Sequence, residues 1–285
     1  LNAAVEERGS GRDHARSERQ VIAPAFTWKL GRDTLLEYAG EVLRHKTPLD
    51  RGVVAINNRL GALPRSRFLG EPADGDVTVE NHTHQFVLTH EWSANWRSRV
   101  GLSYRETSID GFATEASALQ TNGMLTRQRR YRDFDSHDTA LQAELQGKVR
   151  TGGIEHELLF GAETFRFTMD SVMLRANPSA ARPYAIDIYN PVYGQAQPIP
   201  TANTDTLEHQ RGSAFYVQDA IKLAPAWRLV AGVRVDNYRQ SLLNRRTGGT
   251  ANQDPSATSP RIGLSWLPTP QWTFYANAGR AFRPN

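Results

Sequence analysis

Period-two alternation, a regular exchange of tight turns with long polar connections, and tryptophans gathered beside the turns predict an all-β fold. The class they point to is an antiparallel transmembrane β-barrel. Alternating residues build a wall with one face toward lipid and the other toward a polar interior. In outer-membrane barrels the short turns are periplasmic and the long loops extracellular. A soluble sandwich or propeller has no reason to sort its connections by length onto opposite ends.

The first predicted strand covers residues 21–30 and turns at Gly31-Arg32-Asp33 into a second over 34–45. A polar connection, 46–77, leads to a strand over 78–92, which Ser93-Ala94-Asn95 turns into the next. There Trp96, Val100, Leu102 and Tyr104 share one face while Arg97, Arg99 and Arg105 take the other. A second long connection, 109–134, precedes a strand in which Leu141, Ala143, Leu145 and Val149 alternate with Gln142, Glu144, Gln146 and Lys148. Thr151-Gly152-Gly153 turns it into a strand over 154–169, and the longest connection, 170–208, follows. The strand over 209–223 turns at Ala224-Pro225-Ala226 into one where Trp227, Leu229, Ala231, Val233 and Val235 share a face. The last connection, 242–257, leads to strands over 258–267 and 272–279, joined by Pro268-Thr269-Pro270-Gln271. Several of these segments exceed a typical soluble strand of ~5–6 residues and reach the ~9–11 that cross a bilayer at a tilt.

Trp28, Trp92, Trp96, Trp227, Trp266 and Trp272 all stand beside tight turns, and they are all 6 tryptophans of the chain. That is the interfacial girdle expected where strands leave the bilayer. Mean hydropathy is only -0.55, as expected when every second strand residue faces a polar lumen, and no apolar run approaches the ~20 residues of a membrane-spanning helix. The 285 residues include no cysteine, which excludes a disulfide or a thiolate metal site. A net charge of +4 from 34 basic and 30 acidic residues is a small excess. The dense basic run Arg127, Arg129, Arg130 and Arg132 is followed by Asp133 and Asp135, so no nucleic-acid partner is expected.

Several stretches carry a family likeness: Phe215-Tyr216-Val217-Gln218-Asp219, Gly232-Val233-Arg234-Val235-Asp236-Asn237-Tyr238, Ser259-Pro260-Arg261-Ile262-Gly263-Leu264 and Phe274-Tyr275-Ala276-Asn277-Ala278-Gly279-Arg280-Ala281-Phe282-Arg283-Pro284. Ile22-Ala23-Pro24-Ala25-Phe26-Thr27-Trp28, the loop stretch 48–52 and Asp187-Ile188-Tyr189-Asn190-Pro191-Val192-Tyr193 agree with them in order. The chain resembles a TonB-dependent siderophore receptor of the ferrichrome and hydroxamate type. The resemblance implies a barrel of roughly 22 strands around an N-terminal plug. Residues 1–285 are then expected to be a partial barrel domain of about ten strands without the plug, its TonB-contacting segment or the closing strands. An open sheet edge in lipid leaves backbone groups unpaired, so such a piece alone is not expected to be stable in a bilayer.

The implied activity is import, not catalysis, in the cell outer membrane of a Gram-negative bacterium. A ferric siderophore binds between loops and plug, and the TonB-ExbB-ExbD complex acts through the plug to open a path. Ferric iron arrives only within the chelate, no resident cofactor is expected, and the remaining partner is outer-membrane lipid. Oxygen-rich chelates favour pockets of aromatic and arginine side chains. The candidate contacts are Arg51, Phe112, Arg175, Tyr184, Tyr189 and Tyr193. Where hydroxamate-type relatives place aromatics after the Arg-Gly of the early loop, this chain has Val53-Val54.

Other readings have less support. His82, His84 and His90 share a strand without a carboxylate at ligand spacing, and Asp133, Asp135, His137 and Asp138 read as a solvated loop root. No spacing singles out a nucleophile and base for a barrel hydrolase, and Thr247-Gly248-Gly249-Thr250 reads as a loop tip. The remaining alternatives are cobalamin, haem or an oligosaccharide on the same scaffold, and a passive porin.

Overall fold

The computed structural model describes residues 1–284. Its strands are β1 (Asn2–Gly9), β2 (Arg16–Ala23), β3 (Ala25–Lys29), β4 (Thr34–Thr47), β5 (Val77–Ser93), β6 (Trp96–Leu119), β7 (Met124–Thr151) and β8 (Ile154–Ala176). They continue as β9 (Ala185–Asp187), β10 (Thr201–Ala224), β11 (Trp227–Asn244), β12 (Gly249–Gln253), β13 (Ser256–Thr269) and β14 (Trp272–Gly279). One 14-stranded sheet runs β1-β2-β4-β5-β6-β7-β8-β10-β11-β13-β14, with β3 beside β4, β9 beside β7 and β12 beside β11. Every described pairing between these strands is antiparallel.

β2 and β3 both run along β4, so they fill one position in the wall, interrupted at Pro24. Proline has no N–H to give a ladder, yet its carbonyl still accepts the Gly40 N–H at 2.9 Å. β12 and β13 likewise share the edge of β11 on either side of Pro255, whose carbonyl accepts the Tyr238 N–H at 3.0 Å. The sequence expectation omits β1, because Asn2-Ala3-Ala4-Val5-Glu6-Glu7-Arg8 shows no clean alternation.

The tight turns fall where expected, and the sheet order places them at one end. At the other end three expected loops are corrected: 170–208 narrows to 177–200 around β9, and the other two are mostly strand. Residues 109–134 are strand except for 120–123, and 242–257 are mostly β11, β12 and β13 around a turn at 245–248. Asp133, Asp135, His137 and Asp138 therefore lie within β7 rather than at a loop root. Outside lipid the ladder is held by the partner strand, so the chain stays extended after apolar alternation has stopped.

Register aligns the apolar residues into a band. Phe86 lies opposite Leu102, and Leu102 opposite Leu141. Leu145, Phe160, Val217 and Val233 continue the line across β7, β8, β10 and β11. These side chains stay open, and Phe215, on the same face of β10, is 65% exposed. An apolar face of this extent belongs against lipid. All 6 tryptophans share its outward parity, at its turn-side border.

The opposite face is polar and internally bonded. Tyr216 donates to Glu144 at 2.8 Å and accepts from Gln142 at 3.0 Å. Arg234 bonds Glu163 two strands away and Asp236 on its own strand at 2.8 Å. Arg261 bonds Gln218, whereas Asp219 faces the other way and meets His156 at 2.7 Å. Tyr216, Gln218 and Arg234 thus bond across two strands, whereas Asp219 bonds the adjacent strand and Asp236 its own, and Arg234 meets Tyr216 only over its ring, at 5.5 Å. Glycines make room for rings in this wall: a Cβ on Gly161 would stand 2.0 Å from the Tyr216 ring, and one on Gly212 2.1 Å from Phe165.

Candidate functional site

A tilted crossing takes ~9–11 residues, so more than half of the 28 residues of β7 stand outside the bilayer. Together with β6 they make a two-stranded arm. Residues 48–76 and 177–200 fold against it. Leu63 and Leu69 of the first segment meet Leu125 of β7 and Ile186 and Ile188 of the second in a buried cluster. β9 adds to β7 beside them as a short strand.

Arg127, 0% exposed, holds this arrangement together. Its Nε donates to the Tyr184 carbonyl at 3.2 Å, Nη1 to the Gly70 carbonyl at 2.5 Å, and Nη2 to Glu71 Oε2 at 3.5 Å. The other Glu71 oxygen accepts the Gly194 N–H at 3.1 Å. One buried ion pair thereby ties both segments to the arm. Arg129 repeats the pattern, bonding Asp74 at 2.7 Å and the Pro198 carbonyl at 3.4 Å.

Alternation sends Arg130 and Arg132 to the other side of β7, the parity of Gln142 and Glu144 further down the strand. Arg130 pairs in register with Arg175 of β8. Glu115 of β6 bonds Arg132, accepts from Arg51 at 3.4 Å, and lies 3.5 Å from Arg130. One carboxylate therefore serves Arg51, Arg130 and Arg132, with Arg175 standing beside Arg130. Burial lowers the pKa of Arg130, Glu115 opposes that, and the charges of Arg175, Arg132 and Arg51 add to the lowering. The Nε atoms of Arg130 and Arg175 and Nη1 of Arg132 are buried with no hydrogen-bond partner among the described residues. Buried donors ordinarily have partners. A positive group with spare guanidinium donors suits an anionic, oxygen-rich ligand.

The expected contact residues divide between these two assemblies. Arg51 and Arg175 come together with Arg130 and Arg132. Tyr184 is buried with its ring 4.5 Å from the Arg127 guanidinium, and burial raises its pKa. Tyr193 packs on the apolar cluster and donates to the Phe68 carbonyl at 2.8 Å. Both tyrosines are built into the cap. Phe112 lies under the Arg129 guanidinium at 4.0 Å and beside Tyr131 at 4.8 Å, on the side away from Arg130. The Tyr131 hydroxyl donates to Asp110, which pushes its pKa up to about 12 and keeps it a donor. Tyr189 is 51% exposed and lies against Gly123.

Sequence reasoning missed Arg130, Arg132 and Glu115 as members of a site. The signal was present in the spacing: Arg127 and Arg129 differ in parity from Arg130 and Arg132. Parity carries meaning only in a strand, and the segment reads as a loop when alternation of apolar residues is the guide.

Residues 26–285 match the family described as TonB dependent receptor-like, beta-barrel. A metal-pseudopaline receptor of Pseudomonas aeruginosa is 42% identical over 294 residues, covering 100% of this chain and 41% of the relative. A ferrioxamine B receptor of Salmonella typhimurium is 24% identical over 276 residues, covering 94% of this chain and 38% of the relative. The chain thus spans about two fifths of the length of these curated relatives. Among solved structures, the siderophore receptor PiuA from Acinetobacter baumannii superposes with a TM-score of 0.84 at 19% identity, covering 95% of this chain and 43% of that one. The ferric-catecholate import receptor Fiu from Escherichia coli K12 gives 0.83 at 18% identity, with 98% and 49% covered. At these identities the likeness concerns the fold.

Proposed function

This chain belongs to the TonB-dependent receptor β-barrel family, and from that premise we propose that the whole receptor imports a negatively charged metal chelate of the siderophore class across the outer membrane. Transport is driven through TonB and its ExbB-ExbD partners acting on a plug. This chain supplies wall and outward loops, and its role is recognition. The observation that carries the reading is the arginine group at the root of the arm: Arg51, Arg130 and Arg132 share Glu115 and Arg175 stands beside Arg130, leaving positive charge and unused donors. Arginine forks match carboxylate and other oxygen anions.

The relatives rank the chelates to test. The relative at 42% identity is named for a metal complex, pseudopaline, whereas those named for ferrioxamine, ferrichrome and catecholates lie at 22–27%. Metal–pseudopaline therefore comes first, with ferric hydroxamates and catecholates after it. Quenching of tryptophan fluorescence in the complete receptor is expected at sub-micromolar metal–pseudopaline. Arg132→Gln is expected to weaken that binding by about tenfold, the value of one charge-assisted bond. No response to any carboxylate, hydroxamate or catecholate chelate, with rescue of growth by cobalamin, haem or an oligosaccharide instead, overturns the reading.

A further inference from the structure

Glu115 is an acid at the centre of a group of bases. It is 6% exposed and shares the side of the β6–β7 hairpin that carries Arg130 and Arg132. Directly opposite those arginines stand Ala113 and Gly111, too short to occupy the face, so both guanidinium groups run along the hairpin to the carboxylate. Glu115 Oε1 serves Arg132 and Arg51, and Oε2 serves Arg130. The cap carboxylates Glu71 and Asp74 are committed to Arg127 and Arg129 on the other side of β7.

The cations around Glu115 are not equivalent. The Arg51 side chain is 56% exposed, so water screens its charge. Arg130 and Arg132 each keep a buried nitrogen without a partner beyond their bond to Glu115. Arg175 faces Arg130 in register and has no hydrogen bond or ion pair among the described residues, although its Nε is buried. Like charges directly opposite on neighbouring strands are destabilising, and a buried charge needs a partner. With Arg51 screened, three arginines stand against one carboxylate, and two positive charges are left over.

We propose that Glu115 is a positioning residue that sets the charge a ligand must bring. By satisfying one edge of Arg130 and of Arg132, it leaves their other donors and Arg175 to a doubly negative chelate with oxygen anions free of the metal. This rests on the anionic-chelate reading above and narrows it. A neutral or cationic chelate leaves the surplus charge unpaired, and a more negative one is repelled by Glu115 itself. Selectivity is then a difference between matched and mismatched charge.

The test offers the complete receptor the nickel complexes of iminodiacetate, nitrilotriacetate, EDTA and diethylenetriaminepentaacetate, which are neutral, singly, doubly and triply negative, with binding measured by calorimetry. Wild type is expected to gain about tenfold in affinity with each negative charge up to the second and nothing with the third. Glu115→Gln moves the optimum to the triply negative complex, Arg175→Gln moves it to the singly negative one, and Glu115→Asp keeps the wild-type order. A structural role alone would lower all affinities of Glu115→Gln by one factor, and that result overturns the proposal. The same order of preference in wild type and both glutamine variants also overturns it. If Glu115→Gln does not insert, Arg175→Gln decides, and an unshifted optimum there overturns the proposal. Binding of metal–pseudopaline without any dependence on charge in the nickel series overturns the charge rule and leaves the receptor reading standing. Failure of both to bind overturns the two together.

Discussion

The two ends of this sheet are built from different chemistry. At the turn end the strands close in short turns, and aromatic rings mark the border: Trp227 and Trp266 stack at 5.7 Å, Trp272 and Phe274 at 6.1 Å. At the loop end the strands run on past the lipid, and arginines organise what lies there: Arg127 and Arg129 in the cap, Arg130 and Arg132 in the vestibule, Arg166 and Arg211 on the outer surface. The turn end is fitted to the apolar and interfacial parts of a bilayer, which are the same for any barrel. The loop end holds the arginine groups and the long segments folded on them, and carries what is particular to this chain.

The sharpest way to break this contrast is Arg127→Ala. It leaves Glu71 buried without its cation, a loss of about 3–5 kcal/mol. Hydrogen exchange on the complete receptor is expected to accelerate together in residues 48–76 and 177–200 while the strands near the turn at 152–153 keep their protection. Acceleration throughout the sheet would mean that the two ends are not separate. Gly161→Ala probes the wall between them. Its Cβ displaces the Tyr216 ring, with an expected loss of about 1–3 kcal/mol in urea unfolding from vesicles and no change in exchange at the cap.

At the turn end, Trp227→Ala removes one member of a stacked pair, and about 1 kcal/mol of bilayer stability is expected to go with it. Chelate binding should be untouched; a fall in affinity would show that the turn end communicates with the vestibule. The smallest effect belongs to Glu157→Gln. Its partner Lys148 lies 3.6 Å away with both side chains mostly exposed, at 69% and 66%, so the change in stability is expected to stay within about 0.5 kcal/mol. A loss as large as that of Trp227→Ala would put charge on a par with aromatic rings at this border.

The contrast also explains what was legible in the sequence. Lipid writes a period of two, so the band through Leu102, Leu141 and Val233 and the tryptophan border can be read directly. The same signal stops where lipid stops. Residues 109–134 and 242–257 then read as loops although backbone pairing continues through most of them. The candidate site was half legible for the same reason. Arg51 and Arg175 stand out as cations in connections, but Arg130 and Arg132 need strand parity, and Glu115 is recognisable only when the hairpin register brings it beside them. Tyr184 and Tyr193 look like ligand aromatics by composition, yet the Tyr184 ring and carbonyl and the Tyr193 hydroxyl are used in the cap, which only distant pairing with Arg127 and with residues 68–71 reveals.

Those distant pairings have a consequence in time. Tyr193 bonds a carbonyl 125 positions earlier, and Gln197 meets Asp74 across 123, whereas the hairpins closed at the turn end are joined by turns a few residues long. Closing a hairpin takes microseconds, while contacts of high sequence separation form slowly because they need intervening chain to be in place. The cap over the arm is therefore assembled only after β5 through β8 have paired. Until then Leu63, Leu69 and Ile186 are exposed apolar groups on an otherwise polar exterior. A receptor emerging into the outer membrane passes through a stage with its wall complete and its mouth unshaped, and that stage is where a misfolding-prone variant of this chain would be caught.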